Sequence, residues 1–125
     1  MHIKNLSKDR KIWAGIAILI TVSIAVLSLV RLKPASVSFT NVDKIGHAIA
    51  YFTLAFSWFQ VSGVNKKRLL SVFICCFFYG IIIEVLQATI TNYRSGEFYD
   101  ILANSLGIVL ALAVMVAFFS KKKTI

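Results

Sequence analysis

LLSVFICCFFYGIIIEVLQATI, Leu69–Ile90, is a run of twenty-two residues in which Glu84 is the only charge. At 1.5 Å per residue a helix of that length covers about 33 Å, enough to cross the hydrocarbon core of a bilayer with some tilt to spare. Lys66-Lys67-Arg68 precedes it and the polar stretch Thr91–Tyr99 follows, so charge and polarity return where a membrane would end. A carboxylate at the centre of such a span costs about 2.5–3.5 kcal/mol, less toward the interface, and is kept where it has a partner or a task.

Three more apolar runs flank this one. Toward the N-terminus, Asn41-Val42-Asp43 supplies capping residues for a helix to about Val61, after which Ser62-Gly63-Val64-Asn65 turns the chain. Earlier still, Ile12–Val30 is nineteen residues without a charge, longer than the apolar region of a signal peptide. It ends at Arg31-Leu32-Lys33-Pro34, a helix stop, and is expected to remain as an anchor. The connector Arg31–Val42 holds the single proline and is rich in serine, threonine and asparagine, as an exposed loop should be. Toward the C-terminus, Asp100–Phe119 opens with a carboxylate in its first turn and closes at Ser120-Lys121-Lys122-Lys123. The expected fold is an all-α integral membrane four-helix bundle: residues 1–11 a basic leader, 12–119 a four-span membrane domain, 120–125 a basic tail.

Composition agrees. A chain of 125 residues with 58% hydrophobic residues and a mean hydropathy of +0.81 exceeds what a soluble core requires. The net charge of +9 lies in short clusters between apolar runs and not on one amphipathic surface, which excludes a nucleic-acid partner. Ten of the fourteen basic residues fall in the leader, the second connector and the tail. The remaining four are Arg31, Lys33, Lys44 and Arg94, so the positive-inside rule puts both termini in the cytoplasm and the two polar connectors outside. Cys75 and Cys76 are adjacent in an apolar run, lack metal-site spacing and fit plain packing. No cofactor or metal is expected, and nothing sets the oligomeric state.

The polar residues recur at helical spacing. Gly80, Glu84 and Gln87 share one face of the third run, and Asp100, Asn104 and Gly107 repeat the same 4-then-3 spacing on the fourth. Asp43, His47 and Tyr51 recur every four positions on the second. In a four-span topology these stripes all lie toward the outer side. His47, Glu84, Gln87 and Asn104 should sit one to two turns deep, with Asp43, Lys44, Arg94 and Asp100 at the rim, Glu84 paired with His47, Lys44 or Arg94, and the two glycines permitting close helix approach. The plainer reading of each stripe is interhelical glue, worth about 0.6 kcal/mol per hydrogen bond. Asp43 and Asp100 suit helix caps as well as a ligand site, and Tyr51, Tyr93 and Tyr99 fit an aromatic belt as well as a ligand contact, with Tyr51 counted among the candidate binding residues.

The pattern Asp43-Lys44-x-x-His47-x-x-x-Tyr51, Gly80-x-x-x-Glu84-x-x-Gln87, then Arg94 before Asp100-x-x-x-Asn104-x-x-Gly107 resembles the VanZ-like family of small bacterial membrane proteins over about residues 42–110. The first span and both tails carry no motif. The resemblance implies a multi-pass protein of the bacterial cytoplasmic membrane, and the founding family member is associated with low-level resistance to the glycopeptide teicoplanin.

Three functions compete. The first is an outward polar pocket for an envelope lipid headgroup, a lipid-linked precursor or a lipophilic glycopeptide. Arg94 and Lys44 would face anionic groups, and His47, Gln87 and Asn104 hydroxyls or amides. The second is an enzyme on a lipid-linked substrate, with His47 and Glu84 or Asp43 as base and orienter; no serine or cysteine nucleophile motif accompanies it. The third, a proton or ion path through Glu84 and His47, lacks relay residues in the inner halves of the spans.

Overall fold

The computed structural model describes residues 3–29, 40–63, 65–90 and 98–118, with side chains for 9–29, 44–63, 65–89 and 98–118. Four α-helices account for nearly all of them: α1 (Ile3–Leu29), α2 (Thr40–Ser62), α3 (Lys66–Ile90) and α4 (Phe98–Phe118). The helix α1 starts nine residues before Ile12, because Lys4–Lys11 contains no proline or glycine to stop it and the basic leader becomes its first turns. At the turn between α2 and α3, Gly63 takes the left-handed conformation (φ +90°) and its N–H donates to the Phe59 carbonyl at 2.9 Å. Asn65 then caps α3, its Oδ1 accepting from the N–H groups of Lys67 (2.9 Å) and Arg68 (3.4 Å).

The helices run alternately up and down. Gln87 near the end of α3 bonds Ser28 near the end of α1, and Lys44 near the start of α2 bonds Asp100 at the start of α4. At the opposite end, Gln60 of α2 donates to the Met115 sulfur of α4 at 3.3 Å. The first residue of α1 and the last of α4 therefore share one end of the bundle, and the polar stripes share the other.

The α2–α4 pair packs most extensively, while α1 lies against α2 and α3 and does not touch α4 among the described residues. Tyr51, Leu54, Ala55 and Phe59 of α2 meet Ile108, Ala111 and Met115 of α4 in the core, with Leu69 and Cys76 closing it from α3. Small residues set the helix spacing. A Cβ on Gly107 would press on the Ala48 carbonyl oxygen and come within 2.9 Å of the Phe52 nitrogen, so α4 rests directly on the backbone of α2. Gly80 makes room for side chains instead, with Tyr51 Cε2 and Asn104 Nδ2 at 3.2 and 3.3 Å from where its Cβ would be. Gly107 thus has the close-approach role expected of both glycines.

The outer surface is apolar on every side, with Ile18, Leu19, Ile45, Leu70, Phe78, Ile82, Leu106 and Leu110 all exposed. Water would not tolerate so continuous an apolar surface; lipid would. Three helices are long and apolar enough to cross a membrane, spanning Asp9–Leu29, Lys66–Thr89 and Phe98–Phe118. The fourth, α2, is 23 residues long, about 35 Å, but carries Asp43, Lys44 and His47 in its first turns. Its lower apolarity fits its place between α1, α3 and α4.

Candidate functional site

Three helix ends bring the site together. Measured along the helix axes, His47 lies about 10 Å from the start of α2, Glu84 about 9 Å from the end of α3 and Asn104 about 9 Å from the start of α4. The equal depth places the three stripes against one another, as their spacing implies. Glu84 is 3% exposed, Asn104 3% and Asp100 6%.

The contacts make one connected group. Lys44 Nζ lies 2.5 Å from Asp100 Oδ1, and the other carboxylate oxygen, Oδ2, lies 3.6 Å from His47 Nε2. On the far side of the imidazole, Nδ1 is 3.1 Å from Asn104 Oδ1. His47 is thereby held from both edges by one turn of α4, since Asp100 and Asn104 are four residues apart and project from the same face. Glu84 completes the group from α3: His47, Glu84 and Asp100 each offer a donor atom, and the three atoms lie within 4.8 Å of one another. No such set was expected from the sequence, where only the adjacent cysteines were weighed as metal ligands. The three residues come from three helices, and their spacing of 37 and 16 positions matches no local ligand motif.

Two other expectations sort differently. Asp100 is not a rim residue or a mere cap: buried and bonded to Lys44, it stands at the centre of the cluster. Gln87 directs its Nε2 to the Ser28 carbonyl at 2.9 Å and so ties α3 to α1. Tyr51 is almost fully buried, its ring 6.3 Å from that of Tyr79 and beside Gly80, where it forms the apolar floor beneath the polar group. Tyr99 is exposed next to Phe98, as an interfacial aromatic should be. The Asp43 side chain, Tyr93 and Arg94 lie outside the described residues.

A second polar tie, at mid-bundle, had no counterpart in the sequence reading. Thr21 Oγ1 donates to the Ala17 carbonyl (2.7 Å) and accepts from Trp58 Nε1 (3.0 Å), while the Thr21 carbonyl accepts from the Tyr79 hydroxyl (2.5 Å). One residue of α1 thereby anchors α2 and α3. The first span carries no family motif, yet Thr21 and Ser28 give it hydrogen bonds to α2 and α3 beside its apolar contacts.

Fold and site together define a small multi-helix membrane protein with a buried, mixed-charge cluster at one end of its bundle. The VanZ/LLP1 family model matches residues 3–119, and the chain belongs to that family. An uncharacterized protein of the fission yeast Schizosaccharomyces pombe is 28% identical over 115 residues, which cover 90% of this chain and 67% of the yeast protein. No solved structure matches. Because that relative comes from a yeast, family membership does not by itself select a bacterial membrane.

Proposed function

We propose that this chain binds the polar headgroup of a membrane lipid at the end of its bundle where α2, α3 and α4 meet, with that end facing outward and both termini in the cytoplasm. The observation that carries the reading is the Lys44–Asp100–His47–Asn104 group beside Glu84, which runs from about 3 Å inside the helix ends at Asp100 to about 10 Å at His47, the zone in which headgroups give way to acyl chains. Lys44 and Arg94 are the cations for an anionic group; His47 and Asn104 serve hydroxyls or amides. A relative in a yeast favours a glycerophospholipid headgroup over a glycopeptide, because the ligand should then occur in membranes of both kinds of cell. A teicoplanin-resistance role would be one consequence of handling an envelope lipid.

Native mass spectrometry of detergent-extracted protein tests this. The wild-type chain should retain a lipid whose occupancy falls at least tenfold in His47→Ala and Asn104→Ala, with melting temperature held. Equal retention in wild type and both variants would refute the site. Catalysis on such a lipid is the second reading, favoured by an imidazole held between Asp100 and Asn104 as an oriented base would be. Turnover of the retained lipid, lost in His47→Ala, would select it.

A further inference from the structure

We propose that His47, Glu84 and Asp100 bind one divalent transition-metal ion of the zinc or manganese kind. The inference goes beyond the headgroup reading and stands on the geometry of the cluster alone.

The hydrogen bonding decides which atoms face inward. Asn104 Oδ1 is an amide oxygen and only accepts, so at 3.1 Å from His47 Nδ1 it fixes the hydrogen there. Nε2 is then the ring atom turned toward Asp100 Oδ2, 3.6 Å away, and the one that would take a metal ion. A metal ion between Nε2 and Oδ2 would bond to both atoms, in the place a proton takes in a His–Asp ion pair. Ligands about 2.1 Å from a tetrahedral ion sit roughly 3.4 Å apart, close to this separation. Glu84, with its donor atom within 4.8 Å of both, needs only a side-chain adjustment to join them.

The surroundings match those of a metal site. Metal-bound histidines usually direct their other ring N–H to a carbonyl or carboxylate, and Asn104 has that place here. Lys44 takes Asp100 Oδ1 and so leaves Oδ2 for the ion. Counting Lys44 as +1, Glu84 and Asp100 as −1 each and His47 as neutral, this group of four carries −1. A divalent ion brings it to +1, of the sign that attracts a phosphate oxygen. Cys76 lies eight residues from Glu84 on α3, about 12 Å along the axis, so the ligand set is nitrogen and oxygen only. Imidazole with carboxylates suits zinc, manganese or iron(II) over copper(I), and the imidazole argues against calcium and magnesium. Three protein ligands leave a position for water or a headgroup oxygen.

The test uses the full chain carrying Cys75→Ser, Cys76→Ser and His2→Ala, which remove competing ligands. The protein is stripped with EDTA in detergent, dialysed against Zn2+ or Mn2+ separately, and its metal content measured by mass spectrometry. One equivalent per chain of at least one ion is expected, with affinity at least tenfold weaker in Glu84→Gln and Asp100→Asn. Asn104→Ala should weaken binding by about 10–100-fold while Asn104→Asp, which keeps an acceptor for Nδ1–H, retains it. Tryptophan fluorescence melts from Trp13 and Trp58 identify any variant that has lost its fold. Less than a tenth of an equivalent of either ion in the parent carrying those three changes, or a full equivalent persisting in Glu84→Gln and Asp100→Asn, overturns the proposal. Metal retained with no lipid bound supports the ion and refutes the headgroup reading; lipid bound with no metal does the reverse.

Discussion

Replacing Gly107 with alanine probes the contact on which the site depends. The added methyl would press on the Ala48 carbonyl oxygen, and would stand 2.9 Å from the Phe52 nitrogen and 3.0 Å from the Ala48 carbonyl carbon. These are backbone atoms of a helix and have no rotamer to change, so α2 and α4 must separate by roughly 1 Å to reach ordinary contact distance. A gap of that size forfeits up to about half of each dispersion contact of ~0.1–0.2 kcal/mol, and some tens of atom pairs make up such an interface. The loss is then about 2–4 kcal/mol, offset by up to ~1 kcal/mol for the better helix propensity of alanine. Lipid supplies no hydrophobic drive to hold the helices together, so packing losses are felt in full. Gly80→Ala should cost less, because it meets side-chain atoms of Tyr51 and Asn104 that can shift. Gly46→Ala, with nothing within 4 Å, should be neutral or slightly stabilising. Thermal or SDS-induced unfolding in detergent, followed by circular dichroism, gives the order Gly107, Gly80, Gly46. A Gly107→Ala protein within about 0.5 kcal/mol of wild type would refute the close backbone contact, and with it the placing of Asp100 and Asn104 against Lys44 and His47.

Two further outcomes follow from the same geometry. Glu84→Ala removes one member of a buried polar group and should cost about 1–3 kcal/mol, whereas Ile18→Ala, on an exposed apolar face, should stay within about 0.5 kcal/mol; equal melting points would leave Glu84 an ordinary lining residue. With the native cysteines removed, a cysteine at Asn65 should be labelled only from the cytoplasmic side and one at Ser95 only from outside; the opposite pattern would reverse the orientation drawn from the basic residues.

Much of the site was legible because membrane helices expose polar residues so sparingly that spacing alone carries information. The 4-then-3 repeats on the third and fourth runs located Glu84, Asp100 and Asn104 on facing stripes, and the glycines within those repeats mark where helices touch. The Thr21 tie was not legible. A lone threonine in an apolar helix usually bonds the carbonyl four residues back, as Thr21 does with Ala17, and nothing local shows that it also accepts from Trp58. The division of labour within Asp100 was hidden for a related reason. First-turn position and capping chemistry explain an aspartate there equally well, and only the approach of Lys44 from another helix separates the two.

The Lys44–Asp100 pair offers the sharpest separation of structural from functional roles. Side-chain exposures of 21% and 9% make it a partly buried pair, in which either charge alone is worse off than both or neither. Asp100→Leu strands the Lys44 ammonium and removes one neighbour of His47; Lys44→Met leaves the Asp100 and Glu84 carboxylates without that cation. Each single change should destabilise by about 1–3 kcal/mol, the lower part of the range for a buried pair because both groups keep some exposure. The double variant Lys44→Met/Asp100→Leu leaves no unmatched charge at either position, and its stability should recover to within about 1 kcal/mol of wild type, a positive coupling readable from the four melting curves. If the pair were only interhelical glue, the recovered double variant would keep whatever the site binds. If Asp100 is a ligand held in place by Lys44, the double variant should be as stable as wild type and still lose headgroup and metal retention. Single losses that simply add in the double variant would show that the two side chains are not coupled, and the contact at the centre of the cluster would have to be abandoned.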